Sequence, residues 1–104
     1  MNDRELLELA AKAAGIGIVD WHENDPTIWD DVEPCAWNPL TDDGDALRLA
    51  VKLNMYVMRF DVMTTARSSA ATCDERDDGD PYAATRRAIV RAAAEIGKAS
   101  SNAK

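Results

Sequence analysis

Apolar residues recur at helical spacing in three segments of the chain. Positions three and four apart share one face of a helix, so each segment predicts an amphipathic helix. The segments are residues 4–14, 43–53 and 81–99. Capping residues support all three predictions: Asn2 or Asp3 precedes the first, Thr41 or Asp42 the second, and Asp80 the third.

Between these segments the pattern changes to the two-residue alternation that is typical of strands. Residues 16–21 predict a short strand, and residues 27–29 predict its return after a polar turn. Residues 55–65 predict a longer strand, and residues 70–73 a last short one. One face of the longer strand carries Tyr56, Met58, Phe60 and Val62.

The order of elements predicts an α+β fold. Residues 33–39 contain two prolines and predict an extended connection, because a residue before proline avoids the helical region. The resulting order is α-β-β-α-β-(β)-α, with three helices over one face of a small, mostly antiparallel sheet of three or four strands. We expect residues 1–99 to form a single domain and residues 100–104 to fray.

Charge is unevenly distributed along the chain. The 104 residues contain 19 acids and 12 bases, for a formal net charge of -7. No Lys or Arg occurs between Lys12 and Arg48, whereas nine Asp and Glu residues fall in that span. Such a chain repels nucleic acid and anionic membranes, so we expect neither as a direct partner. Either this charge serves solubility alone, or it forms a negative surface that binds a basic partner.

Catalytic and metal-binding patterns are weak. Nucleophilic catalysis needs an activating base, and the single histidine, His22, falls in a predicted turn. Cys35 and Cys73 are isolated and predict free thiols. The acidic stretch 74–79 departs from a calcium loop because Arg76 occupies its third position. We therefore expect no enzymatic activity, no metal and no cofactor.

The tryptophans indicate where a protein partner would bind. Trp37 lies between two prolines and is expected to pack against the sheet, whereas Trp29 is expected at a rim among acids. Exposed aromatic residues often anchor protein interfaces. The predicted partner-binding residues are Asp25, Trp29, Asp30, Asp31, Glu33, Asp42, Asp43 and Asp45.

Three blocks, at residues 1–15, 36–53 and 84–97, resemble small accessory proteins of tailed phages and prophages. The pattern Trp-Asn-Pro-Leu-x-x-Asp-x-x-Ala-x-x-Leu, beginning at Trp37, is similar to that of the NinX-like phage proteins. This resemblance implies a protein that acts in the host cytoplasm and has no enzymatic motif. The charged, amphipathic start of the chain is consistent with that location, because it lacks the apolar region of a signal peptide.

By analogy with anti-CRISPR proteins and other nucleic-acid mimics, the resemblance suggests a function. The chain would bind and inhibit a host nucleic-acid-handling or defence complex through its negative surface. The alternative is an accessory or self-assembling structural protein without such mimicry. Its homodimer would form through the alanine-rich helices, where Ala88, Ala92 and Ala93 permit close approach.

Overall fold

A computed structural model describes residues 1–29 and 33–102 of the chain. The described residues form three helices and six strands in the order α-β-β-β-α-β-β-β-α, which confirms the predicted α+β class. The helices are α1 (Asp3–Ala14), α2 (Asp43–Lys52) and α3 (Pro81–Asn102). The strands are β1 (Ile18–His22), β2 (Asp25–Trp29), β3 (Pro34–Ala36), β4 (Tyr56–Phe60), β5 (Met63–Arg67) and β6 (Thr72–Arg76).

The strands form two antiparallel sheets of three strands, β1-β2-β3 and β4-β5-β6, where one sheet was predicted. The proline-containing connection contributes an additional strand, because Pro34 pairs with Trp29 at the edge of the first sheet. Proline is tolerated there, since an edge strand does not need every N–H group. The strand predicted at residues 55–65 is instead a hairpin, in which β4 and β5 flank a two-residue turn.

Helix boundaries follow their capping residues closely. Asn2, Asp42 and Asp80 each accept a hydrogen bond from a backbone N–H group in the first turn, at 2.8–3.1 Å. These contacts confirm the predicted helix starts. α1 ends at Gly15, whose φ of 71° lies in the left-handed region that glycine adopts readily. α3 continues to Asn102, three residues beyond the predicted end at residue 99.

α1 and α3 pack against each other at the centre of the core. The α3 side chains Ala88, Ala92 and Ala93 are fully buried. A Cβ atom at Gly97 would lie 2.0 Å from the carbonyl oxygen of Leu9 on α1. A small residue therefore permits the close approach of α1 to α3 within the same chain. These alanines are consequently not available to a second copy.

One large aromatic residue of α3 lies at the surface. Tyr82 is 70% exposed. It stands in the first turn of the helix, at the mouth of a groove that also contains Leu47 and Val57. No helix in the described part of the chain has both the length and the hydropathy that a membrane span requires.

Candidate protein-binding site

The first sheet has one face turned toward the core and one toward solvent. Strand alternation directs Pro26 and Ile28 of β2 inward, where Pro26 is buried. Trp29 points outward and pairs with Pro34 of β3. A shallow cavity of about 580 Å³ joins Trp29 and Pro34 to Val19 of β1. We call this outward surface of β1, β2 and β3 the tryptophan face.

Trp29 differs sharply from the other two tryptophans. It is 62% exposed, whereas Trp37 is only 4% exposed and belongs to the core. Trp21 is half-buried, and the guanidinium of Arg4 lies 4.2 Å from its ring centroid. The structure thus agrees with the expectation that Trp37 is structural and Trp29 is peripheral. A large exposed aromatic side chain is a typical feature of a binding surface.

The strands of the tryptophan face carry carboxylates but no base of their own. β1, β2 and β3 contain no Lys or Arg. Asp20, Glu23, Asp25 and Glu33 are all exposed, and none of them forms an ion pair within the described residues. Asp25 does have a neutral partner, because the side-chain amide of Asn38 donates to its Oδ1 atom at 2.5 Å. The strands themselves therefore carry negative charge, whereas Arg48 and Lys52 of α2 line a second cavity beside Trp29.

The acids at the start of α2 have other contacts. Asp42 caps the helix by accepting from the N–H of Asp45 at 2.9 Å. Asp45 forms an ion pair with Arg48 at 2.6 Å, and Asp43 forms one with Arg86 of α3 at 2.7 Å. These three predicted partner-binding carboxylates therefore serve local structure and are partly neutralised within the chain.

Asn38 connects the two groups of acids. Besides its side-chain bond to Asp25, its backbone N–H donates to Asp45 at 2.9 Å. Asp25 and Asp45 thus lie on either side of one asparagine, although they are distant in sequence. The predicted partner-binding residues Asp30 and Asp31 lie outside the described residues. The structure therefore places Trp29 and Glu33 near one end of β2, and Asp25 at the other end, beside the acids that cap α2.

A second exposed surface was not predicted from the sequence. The outer strand β4 and its surroundings expose large apolar side chains. These are Tyr56, Val57, Met58 and Phe60 of β4, Val62 of the following turn, and Leu47 and Tyr82, which line a groove with Val57. We call this surface the β4 edge. The sequence signal for this surface was the presence of apolar residues on both faces of β4. Tyr56, Met58 and Phe60 lie on one face, and Val57 lies on the other face beside Arg59.

No group of three or more His, Cys, Asp or Glu residues within residues 1–29 and 33–102 could hold a metal ion. Burial raises the pKa of the Cys73 thiol, which keeps it protonated and unreactive near neutral pH. The tryptophan face combines an aromatic anchor with carboxylates, which suits contact with cationic side chains.

No family model, curated protein or solved structure matches this chain. The resemblance to phage accessory proteins therefore stays a prediction.

Proposed function

We propose that this protein is a non-catalytic binding domain that holds a basic protein surface against the tryptophan face. The observation that carries this proposal is the exposure of Trp29, 62% of which lies open to solvent on a sheet that contains no Lys or Arg. Aromatic residues supply large contact areas in interfaces, and truncation of a central one often lowers affinity by about 2 kcal/mol or more.

The surrounding carboxylates support a cationic partner. Asp20, Glu23 and Glu33 have no ion-pair partner among the described residues, so a Lys or Arg of another protein can pair with them without breaking an internal ion pair. Complementary charge chiefly accelerates association and excludes wrong partners. Because exposed charges are screened over about 10 Å at 0.1 M salt, binding through this face should weaken as salt rises.

A basic surface in a cell commonly contacts nucleic acid. The chain's net charge of -7 repels nucleic acid itself but favours proteins that hold it. Together with the resemblance to phage accessory proteins, this suggests a host nucleic-acid-handling or defence complex as the target. The protein would inhibit it stoichiometrically in the host cytoplasm by occupying its basic surface.

The test compares tagged wild-type protein with the variants Trp29→Ala and Glu33→Lys in host lysate. Captured proteins are identified by mass spectrometry at about 0.05 M and about 0.5 M NaCl, conditions that differ strongly in screening. Glu95→Lys is the matched control, because Glu95 is exposed on α3 and its reversal changes net charge by the same amount. Circular dichroism establishes that every variant is folded.

We expect wild type and Glu95→Lys to retain the same basic complex at low salt and to release it at high salt. Trp29→Ala should weaken binding by roughly 30-fold, the equivalent of about 2 kcal/mol. Equal retention by Trp29→Ala and wild type would refute the tryptophan face as the binding surface. Equal losses for Glu33→Lys and Glu95→Lys would show that net charge alone determines binding.

A further inference from the structure

The strand β4, at the centre of the β4 edge, has the properties of an edge strand that can pair with a further strand. β4 has β5 on one side only, and it is the outermost strand of its sheet. Its register with β5 is unbroken over all five residues, so no bulge protects it. Edge strands that stay unpaired usually carry exposed charge, proline or a bulge. β4 has one charged residue, Arg59, and Asp77 already holds its guanidinium at 2.5 Å and 2.9 Å.

The opposite edge of the same sheet shows the contrast. β6 carries Asp74, Glu75 and Arg76 in sequence, and Arg91 of α3 already donates to the backbone carbonyl of Asp74 and to the carboxylate of Glu75. Three charged residues in a row discourage a further strand from adding there. The apolar character is therefore specific to β4 and not a general property of the sheet.

The backbone of β4 determines the register that a new strand can take. Phe60 and Met63 close a two-residue turn and form a hydrogen-bonded pair. Because hydrogen-bonded and non-hydrogen-bonded pairs alternate, the backbone N–H and C=O groups of Val57 and Arg59 point away from β5. No other backbone group in the described residues bonds to them.

These free groups match a second copy of the same strand. In an antiparallel pair centred on Met58, Val57 of one copy lies opposite Arg59 of the other. These two residues then exchange two backbone N–H···O=C hydrogen bonds. Tyr56 then faces Phe60 of the other copy, which forms an aromatic cross-strand pair on each side of the axis. The two Arg59 side chains are kept apart, whereas pairing about Arg59 would oppose them directly.

We propose that the protein forms a two-fold symmetric dimer through β4, with Met58 on the axis and a continuous six-stranded sheet across the two copies. Such an interface is self-complementary, as two-fold symmetry requires. The groove of about 540 Å³ beneath β4, lined by Leu47, Val57 and Tyr82, lies along the same edge.

Light scattering coupled to size exclusion tests the stoichiometry. Wild type is expected at twice the chain mass of 11.4 kDa, and Met58→Lys at the chain mass with an unchanged circular dichroism spectrum. Added salt should stabilise the dimer, because each copy carries a net charge of -7 and the copies repel each other. This salt dependence is opposite to that expected for a basic partner, so the two proposals fail independently.

Cross-linking tests the register. In a Cys35→Ser background, Met58→Cys should form an intermolecular disulfide on mild oxidation, because residues opposite each other in a non-hydrogen-bonded pair have Cα atoms about 4.5 Å apart. Tyr56→Cys is the control, since Tyr56 is 70% exposed but lies far from its own copy in this register.

A wild-type protein that is monomeric at about 100 μM would overturn the dimer, because an aromatic strand interface should have a dissociation constant on the order of micromolar. The β4 edge would then be available to a strand of another protein. Equal cross-linking of Met58→Cys and Tyr56→Cys would also overturn the proposal, as would a dimer that persists in Met58→Lys.

Discussion

The contact between α1 and α3 gives the sharpest test of the fold. Gly97 lies in the interior of α3, where alanine would ordinarily stabilise the helix by about 1 kcal/mol. A Cβ atom there would instead lie 2.0 Å from the carbonyl oxygen of Leu9, whereas ordinary contacts begin at 3.4 Å. The obstacle is backbone, so no side-chain rotation relieves it and the two helices must separate.

Separation disturbs the buried alanines that line the same contact. Overpacking of a tight interior typically destabilises by up to about 3 kcal/mol. After the gain of about 1 kcal/mol in helix propensity, we expect Gly97→Ala to reduce the free energy of unfolding by about 2 kcal/mol. For a domain of this size, that loss lowers the melting temperature by roughly 8–16 °C.

Urea denaturation followed by circular dichroism measures the effect. Gly17→Ala is the matched control, because Gly17 is exposed, has no neighbouring atom within 4 Å of an added Cβ and does not require a positive φ. The control should stay within about 0.5 kcal/mol of wild type. A Gly97→Ala protein as stable as wild type, with an unchanged m-value, would contradict the close helix contact.

Three further outcomes follow from single contacts. Maleimide should label the partly exposed Cys35 in the native protein but label the buried Cys73 only in denaturant, as mass spectrometry of the labelled chain can show. The hydrogen bond from the Arg59 guanidinium lowers the pKa of Asp77 below its ordinary value. This ion pair therefore stabilises the fold when the pH is above the ordinary carboxyl pKa, and the contribution is lost as the pH falls through the lowered pKa of Asp77. Asp77→Asn should therefore unfold at lower urea concentration than wild type at neutral pH, and the difference should shrink in acid. Asn2→Ala removes the cap of α1 and should destabilise by about 1 kcal/mol in the same urea assay.

The helices could be predicted from sequence because their signals are local. The side chains that start each helix, such as Asn2 and Asp80, lie within a few residues of the groups they cap. Gly15 ends α1 for an equally local reason, its left-handed backbone conformation. Such contacts need no knowledge of the rest of the chain.

The sheets depended on information that the local pattern lacks. The turn between β4 and β5 contains Asp61 and Val62, without the glycine or asparagine that usually announces a two-residue hairpin. The apolar alternation therefore continued through it and concealed the turn. β3 was missed because its pairing with β2, and not its own sequence, makes it a strand.

The candidate site was predicted in part. Trp29 was expected at a rim, and its exposure agrees. The acids at the start of α2 were predicted to belong to the same site as Trp29, because they lie in the same stretch of sequence without Lys or Arg. The ion pair of Asp45 with Arg48 is a local i,i+3 contact that the sequence offered, whereas Arg86 reaches Asp43 only after α3 has packed beside α2. The β4 edge was missed because it depends on which strand lies outermost.

The pairing of α1 with α3 also has a consequence during translation. Asp3 and Arg87, which form an ion pair across these helices, are 84 positions apart. At typical elongation rates of 5–20 residues per second, α1 waits roughly 4–17 seconds for its partner to be synthesised. Leu6 and Leu7, both buried in the finished protein, have no partner helix in that interval. The nascent chain therefore completes its core only as the last helix leaves the ribosome, which makes the first helix a natural substrate for chaperones.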